Sequence, residues 1–372
     1  MTRMPANNPF RPSFGVSPRV LAGRQDLLQD FDVALDEGPG SPLRSLLVSG
    51  PRGMGKTVVL NELEEIARTR GWLVLRLPEG TDMLEELEGS TVPALLAEHD
   101  TMAVRRRLTG GGISGLGSVS TDVEDRYPVR QSLTRMLGRL SEVLAVHETG
   151  MMFTLDEVQD ADPDVVGRFA TVYQHLVRDE REVAFAAAGL PVGVDQLLRQ
   201  GGTTFLRRAE RVHLDLLTDE EVAEAARATV GEAGRTLGPE AAGAFVDVAH
   251  GYPYLLQLVG YHAWRMDPAP EEITARDVHR TRPLVVERMG RLVHAPAVAP
   301  LPEGQRSYLR AMAVDDGPSS TREIAERTGV PMQQQNVYRA RLIGRELIRA
   351  TGHGYVDVTL PYLREYLRAQ PR

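Results

Sequence analysis

Gly50-Pro51-Arg52-Gly53-Met54-Gly55-Lys56-Thr57 is the stretch that decides the fold of this chain of 372 residues. Its spacing, G-x-x-x-x-G-K-[ST], is that of a phosphate-binding loop. Glycines turn backbone N–H groups toward phosphates, the lysine reaches the β and γ phosphates, and the threonine hydroxyl meets Mg²⁺. Lys56 is the one lysine in the chain; the other forty-two of its 43 basic residues are arginines. A GC-rich genome accounts for the arginines but not for the exception. A wide planar guanidinium does not fit where a compact ammonium must sit between phosphate oxygens. Upstream, Ser45 to Ser49 is a short apolar run of β type. Downstream, Thr57 to Arg70 carries Val59, Leu60, Leu63, Ile66 and Ala67 at helical spacing. Strand, loop and helix in that order place a phosphate at a helix N-terminus. The expected nucleotide contacts are therefore Gly50, Gly53, Met54, Gly55, Lys56, Thr57 and Val58.

Composition sets outer bounds. With 42% apolar residues the chain can build two or three domains, each with its own core. A net charge of -8 and a pI near 5.7 argue against a protein coated in nucleic acid, while leaving room for a local basic face. There is no cysteine, which excludes disulfides, thiolate zinc sites and thiol catalysis and is compatible with a reducing cytoplasm. Residues 1–17 lack the apolar core of a signal peptide, and no stretch approaches about eighteen uninterrupted apolar residues. The expectation is a soluble cytoplasmic protein with no membrane partner.

Apolar runs alternating with helical segments fill the first part of the chain, the pattern of a parallel sheet covered by helices. Candidate strands are Ser45 to Ser49, Trp72 to Leu77, Met151 to Asp156, Val183 to Ala188 and Val212 to Leu214. The glycine-rich stretch Thr109 to Asp122 reads equally as a small β-hairpin or as a mobile surface loop. Beyond Thr218 strand signals vanish, and helices are expected near Asp219 to Val230, Pro239 to Ala249, Tyr252 to Trp264 and Thr274 to Met289. His294 to Pro302, rich in Pro and Ala, reads as a linker. Three helices and a hairpin then outline a winged helix, followed by a final helix from Pro361 to Ala369. The expected fold is α/β: a P-loop NTPase parallel sheet over 1–217, a helical lid over 218–293, a linker over 294–302 and a winged helix over 303–372.

A phosphate-binding loop needs acidic groups to hold Mg²⁺ and align a water. Met151-Met152-Phe153-Thr154-Leu155-Asp156-Glu157 supplies them, with Asp156 expected at the metal and Glu157 at the water. No histidine pair has metal-ligand spacing and no G-x-S-x-G elbow is present.

At this point the chain resembles the AAA-type P-loop ATPases, and within them the branch related to origin-recognition and archaeal ATPases, over most of its length. It is similar also to many actinobacterial ATPases with a C-terminal winged helix. The resemblance rests further on Asn8-Pro9-Phe10, Leu21-Ala22-Gly23-Arg24, Leu155-Asp156-Glu157-Val158-Gln159, Ala188-Gly189-Leu190-Pro191 and Gly251-Tyr252-Pro253-Tyr254-Leu255-Leu256-Gln257. It implies that Gly23 and Arg24 lie near the adenine and that Gly251 and Pro253 of a helical lid close over the base. It also implies an arginine finger at Arg208, with Arg207 the alternative, acting across a subunit interface; an ordinary surface arginine is the competing reading. Two departures stand out. Val183 to Gly189 offers no polar residue to sense the γ-phosphate, and Gly251 to Gly260 contains no lid arginine. ATP hydrolysis is therefore expected to be slow, the chain acting more as a nucleotide-gated switch than as a motor.

The winged-helix segment points to DNA. Gln333, Gln334, Gln335 and Asn336 would stand at the start of its third helix, where amides read adenine edges, and Arg339, Arg341 and Arg345 would meet phosphates. From 303 to 372 there are eleven arginines against eight acids, a net of +3 on a chain of -8. The expected partners are thus ATP or ADP with Mg²⁺, double-stranded DNA, and a second copy of the chain or a separate effector. Two outputs stay open: a DNA-binding switch, or a signalling scaffold that oligomerises with ATP and recruits an effector through the winged helix.

Overall fold

The computed structural model describes residues 7–13, 15–78, 80, 82–99, 132–199, 204–267 and 271–370. The glycine-rich stretch from Thr109 to Asp122 lies outside them. The chain divides into two compact units that do not follow the expected boundaries. One comprises Leu27–Ser49 and Val59–His213; the other joins Met1–Asp26 and the loop Gly50–Val58 to Leu214–Arg372.

The first unit is built on a five-stranded parallel sheet in the order β2-β3-β4-β1-β5. The strands are β1 (Ser45–Ser49), β2 (Leu73–Arg76), β3 (Met151–Leu155), β4 (Val183–Gly189) and β5 (Glu210–His213). Register runs without a break from Leu73 opposite Met151 to Ser45 opposite Phe185. In β3 and β4 every residue is buried. That is why they read as continuous apolar runs: a parallel sheet covered on both faces has no polar side to alternate with. The β5 edge was placed at Val212 to Leu214 by its apolar residues, whereas the strand begins at Glu210. Its Glu210 and Arg211 are exposed, as suits an unpaired edge, and only pairing with β1 reveals them as strand.

Helices α1 (Gln25–Glu37), α2 (Lys56–Thr69), α3 (Leu133–Ala145), α4 (Pro163–Arg178) and α5 (Pro191–Arg199) accompany the strands. Their shared core gathers Leu137 and Leu140 of α3, Phe169 and Tyr173 of α4, and Phe153 and Phe185 of the sheet. Phe153 meets Phe169 edge-on with centroids 5.2 Å apart, and the Tyr173 hydroxyl bonds Ser45 Oγ at 2.9 Å.

One buried acid ties α2 to the sheet. Glu64, 2% exposed, accepts hydrogen bonds from Arg76 Nη2 (2.6 Å), Arg68 Nη2 (2.7 Å) and Thr154 Oγ1 (2.7 Å). Burial alone raises the pKa of this carboxyl, but the bonds from Arg76, Thr154 and Arg68 outweigh it and hold the group below its ordinary value of 4.5.

In the second unit α6 (Asp219–Glu232), α7 (Pro239–Ala249) and α8 (Pro253–Met266) pack together, α6 opening on a Thr218–Glu221 capping box. The helix expected over Thr274 to Met289 is two, α9 (Ala275–Arg280) and α10 (Arg282–Met289), parted at the buried Thr281 with Pro283 starting the second. The expected linker is also corrected. Gly290–His294 and Ala295–Val298 are helical, His294 is fully buried, and its Nε2 lies 3.0 Å from the Pro361 carbonyl. Proline in a first turn loses no hydrogen bond, so Pro296 does not break the helix.

The C-terminal module follows: α11 (Glu303–Met312), β6 (Ser319–Ser320), α12 (Thr321–Thr328), α13 (Met332–Gly344), and the hairpin of β7 (Ile348–Gly352) and β8 (Tyr355–Val358). β8 lies between β6 and β7, both antiparallel to it. Tyr308, Leu309, Met312, Ile324, Leu342 and Val356 form its interior, and α14 (Leu363–Ala369) closes the chain.

Glu64→Gln should cost about 2–3 kcal/mol at pH 7, below the usual figure for breaking a buried ion pair because its arginine partners are largely in water. The folded-state pKa is depressed, so this stability is complete above about pH 4.5 and is lost as pH falls through the lower folded value. Urea denaturation at pH 7 and pH 4 should show the gap between wild type and variant narrowing on acidification.

Candidate nucleotide site

The loop between β1 and α2 carries two left-handed glycines, Gly53 at φ 78° and Gly55 at φ 88°. An L side chain strains at both, and alternating hand is what turns successive N–H groups to one side as an anion-binding nest. α2 starts at Lys56 itself, so the nest continues into a helix N-terminus. Lys56 is 6% exposed, and its ammonium donates to the loop carbonyls of Gly50 (2.9 Å) and Pro51 (3.1 Å). Met54 is buried beneath the loop, and Thr57 and Val58 stand on the first turn of α2. This backbone and a buried single ammonium fit a polyphosphate, with Thr57 as the hydroxyl available to Mg²⁺.

Within the same compact unit the turn ahead of α8 reaches the loop through a residue that the motif reading passed over. Gly251 takes φ 70°, and a Cβ there would stand 2.5 Å from the Leu217 carbonyl; Pro253 begins α8. Between them Tyr252, 1% exposed, donates its hydroxyl to the Arg52 carbonyl at 2.6 Å. A Cβ on Gly53 would fall 2.1 Å from that same hydroxyl oxygen. Burial pushes the phenol pKa far above its ordinary value, so Tyr252 stays a donor. The signal was available: an aromatic ring set between the glycine and proline of G-x-P.

The N-terminal box is held in this unit too. Asn8 Nδ2 donates to the Tyr261 carbonyl (2.9 Å), Arg11 N donates to Gln257 Oε1 (3.1 Å), and Phe10 stacks on Phe245. Gly23, at φ 63°, leaves room for Glu221, whose Oε1 would lie 2.4 Å from a Cβ. Arg24 donates to the Gly23 and Asp215 carbonyls at 2.9 and 2.8 Å; burial lowers its pKa, against the pull of Glu221 and Asp215.

In the sheet unit, Asp156 directly follows the buried end of β3 and accepts the Glu157 N–H at 2.9 Å. Glu157 sits at φ 45° and is gripped by a second residue not singled out from the sequence. Gln159 Nε2 donates to Glu157 Oε2 at 2.6 Å while its Oε1 accepts the Leu190 N–H at 2.9 Å, just past β4. Gly189 and Gly193 make room for it, since a Cβ on either would come within 2.9 Å of the Gln159 side chain. Thus β4, whose own residues are apolar or glycine, has its polar contact made by a neighbour. Among the described residues no group of three His, Asp or Glu side chains forms a metal cage.

Arg207 and Arg208 end a 3₁₀ turn ahead of β5. Arg207 Nε is tied to the Leu198 carbonyl at 2.9 Å, whereas Arg208 is exposed and makes no hydrogen bond or ion pair with a described residue. It lines a cavity of about 480 Å³ with Arg44, Tyr173 and Arg178, at the amino ends of β1 and β4. Asp156 and Glu157 follow the carboxyl end of β3, the opposite end of the sheet.

On α13 the expected base-reading row is corrected in part. Gln333 and Gln334 are exposed, but Gln335 is 2% exposed and its amide bonds the Thr328 hydroxyl. Arg339 is half-buried, its charge acting on the Tyr308 phenol, while Arg341 and Arg345 are exposed. Helical periodicity is the cause: residue 335 falls on the stripe that packs into the module, with Leu342 one heptad on.

Comparison with known proteins bears on the domain family and the fold. Residues 20–183 match a family model described as an AAA ATPase domain, and residues 291–367 match a domain family of unknown function, DUF8462. No curated protein matches the sequence. The Walker-type ATPase of Pyrococcus abyssi is similar in fold at 15% identity and a TM-score of 0.64, over 94% of this chain and 96% of that one. The ORC2 protein of Aeropyrum pernix, solved in ADPNP and ADP complexes, is similar at 14% identity and a TM-score of 0.63, over 96% of each chain. The loop at Gly50 and the acidic end of β3 both lie within residues 20–183, the segment that is an AAA-type ATPase domain by its family match.

Proposed function

We propose that the chain is a cytoplasmic, nucleotide-gated switch whose slow, Mg²⁺-dependent ATP hydrolysis sets the state of a DNA-binding winged helix. The observation that carries this reading is the Tyr252 hydroxyl on the Arg52 carbonyl. It joins the phosphate loop to the lid inside the compact unit that also holds the C-terminal module. A change in the loop's backbone is therefore felt directly by the lid.

The roles proposed are those that the motifs and the family resemblance imply. The nest of Gly50, Gly53, Met54, Gly55 and Val58 with the Lys56 ammonium binds the phosphates, and Gly23, Arg24, Gly251 and Pro253 border the base. Thr57 and Asp156 hold Mg²⁺, which when bound neutralises phosphate charge. Glu157 orients the attacking water, and Arg208 acts on the site of a second copy, the role left to an exposed arginine at the far end of the sheet from its own Glu157. Slow turnover is supported by the grip of Gln159 on Glu157, which occupies one carboxylate oxygen that would otherwise face a water, and by the apolar β4. The cytoplasmic placement is supported by the lack of cysteine; no helix among the described residues is long and apolar enough to cross a membrane.

The winged-helix reading is supported by the element order of the C-terminal module, and DNA by the exposed Gln333, Gln334, Arg341 and Arg345 on and just after α13. A second output, recruitment of an effector protein by an ATP-driven scaffold, is favoured by Met332 and Val337, 43% and 45% exposed on the same helix.

Lys56→Ala should abolish binding of a fluorescent ATP analogue, and Glu157→Gln should preserve binding while lowering turnover on the order of a hundredfold. Equal turnover by wild type and Glu157→Gln would remove Glu157 from the mechanism. For the output, Arg341→Ala/Arg345→Ala should weaken duplex binding in a fluorescence-anisotropy titration and flatten its salt dependence by up to about two phosphate contacts. ATP-driven assembly in size exclusion with no duplex retained at low salt would favour the scaffold instead.

A further inference from the structure

Glu346 is placed where a carboxylate has little structural reason to be. It follows α13 in the left-handed region, φ 57°, a position that glycine or asparagine ordinarily fills because an L side chain is strained there. The corner is rigid. Glu346 N donates to the Ile343 carbonyl at 2.8 Å and Leu347 N to the Leu342 carbonyl at 3.1 Å, with Leu342, Leu347 and Ile348 buried on either side. So anchored, the side chain carries Oε2 into the interior, where it has no solvent exposure and no hydrogen-bond partner.

The charges that act on it belong to the phosphate loop: the Lys56 ammonium and the Arg52 guanidinium both attract the carboxylate, and the phenol of Tyr252, bonded to the Arg52 carbonyl, feels its charge as well. These four groups belong to one compact unit. A stabilising ion pair does not explain the arrangement. Burial pushes the Glu346 carboxyl up to about 7 against the attraction of Lys56 and Arg52, so desolvation outweighs what the pairing returns. A residue in a strained conformation whose carboxylate holds one oxygen buried and unpartnered points to a role beyond its own packing.

We propose that Glu346 makes the C-terminal module a reader of the nucleotide's terminal phosphate: a γ-phosphate and the Glu346 carboxylate compete for the Lys56 ammonium. A nucleoside triphosphate then drives the corner from Ile343 to Ile348 away from the loop, and a nucleoside diphosphate leaves it seated. The inference rests on the nucleotide-gated reading above and names the residue through which the gate reaches the module. The physical basis is like-charge repulsion in a partly desolvated setting, where added negative charge beside a carboxylate is screened poorly. The diphosphate ends one phosphoryl group earlier and adds no anion at that point.

The test uses the full chain, with ADP and a non-hydrolysable ATP analogue, both with Mg²⁺, titrated by calorimetry into wild type and Glu346→Gln. The amide is isosteric and removes a desolvated charge, so the variant should melt at or above the wild-type temperature. It should bind the ATP analogue about tenfold more tightly than wild type does and ADP within about twofold. Glu346→Asp, which keeps the charge, should stay close to wild type in this ratio. Hydrogen exchange in peptides covering 342–352 should rise in wild type with the ATP analogue and not with ADP, and should cease to distinguish the two nucleotides in Glu346→Gln. An unchanged ratio of the two affinities, or equal exchange of the corner with both nucleotides in wild type, overturns the inference while leaving the nucleotide site intact. Failure of wild type to bind either nucleotide would overturn the nucleotide reading itself, and the inference with it.

Discussion

A tyrosine hydroxyl occupies the space that any side chain at position 53 would need. Tyr252 donates to the Arg52 carbonyl with Gly53 directly above it, so the shape of the phosphate loop is set partly by a residue two hundred positions further along the chain. Once that bond exists, Gly53 must be glycine, its left-handed turn is enforced, and the start of α8 is pinned to the loop. The rest of the second unit builds on this junction: Asn8 and Arg11 fasten the N-terminal box to α8, and the Tyr362 hydroxyl donates to the Val248 carbonyl of α7 at 2.7 Å. The compact unit therefore follows physical ties rather than chain order, and claims residues 50–58 from the middle of the sheet's sequence.

How much of this was legible beforehand depended on whether a residue's role is local. The loop reads directly because its chemistry is contiguous, and β1, β3 and β4 read directly because burial, complete in β3 and β4 and central in β1, writes itself as an apolar run. The edge strand β5 was misplaced because its charged residues become strand only by pairing with β1, which no local window contains. The stretch around His294 was read as a linker from its prolines, yet Pro296 sits where a helix tolerates it and the burial of His294 arises from a contact 67 residues away. Tyr252 and Gln159 were hidden for the same reason. Each lies inside a quoted motif, but its function is a bond to a partner that the motif does not name.

The helix α13 shows the opposite failure, in which local chemistry was read too generously. A row of four amides suggested a reading head, but a helix presents only part of such a row to one side. Gln335 turned inward to bond Thr328, and Arg339 is half-buried, its charge acting on the Tyr308 phenol. The buried Gln335 bonds Thr328 of α12 through its Nε2 while its Oε1 is buried without a partner, so the side chain belongs to the packing of α12 against α13 rather than to the surface that would choose a ligand. The exposed remainder mixes cationic, amide and apolar side chains, a less uniform surface than the sequence implied.

Gln159 carries a mechanical consequence. Its amide is engaged at both ends, nitrogen on Glu157 and oxygen on the Leu190 N–H, with Gly189 and Gly193 leaving no slack around it. A part held in this way behaves as a tie rod. The acid that follows β3 and the tip that follows β4 are free to move only together, or by breaking a bond between them.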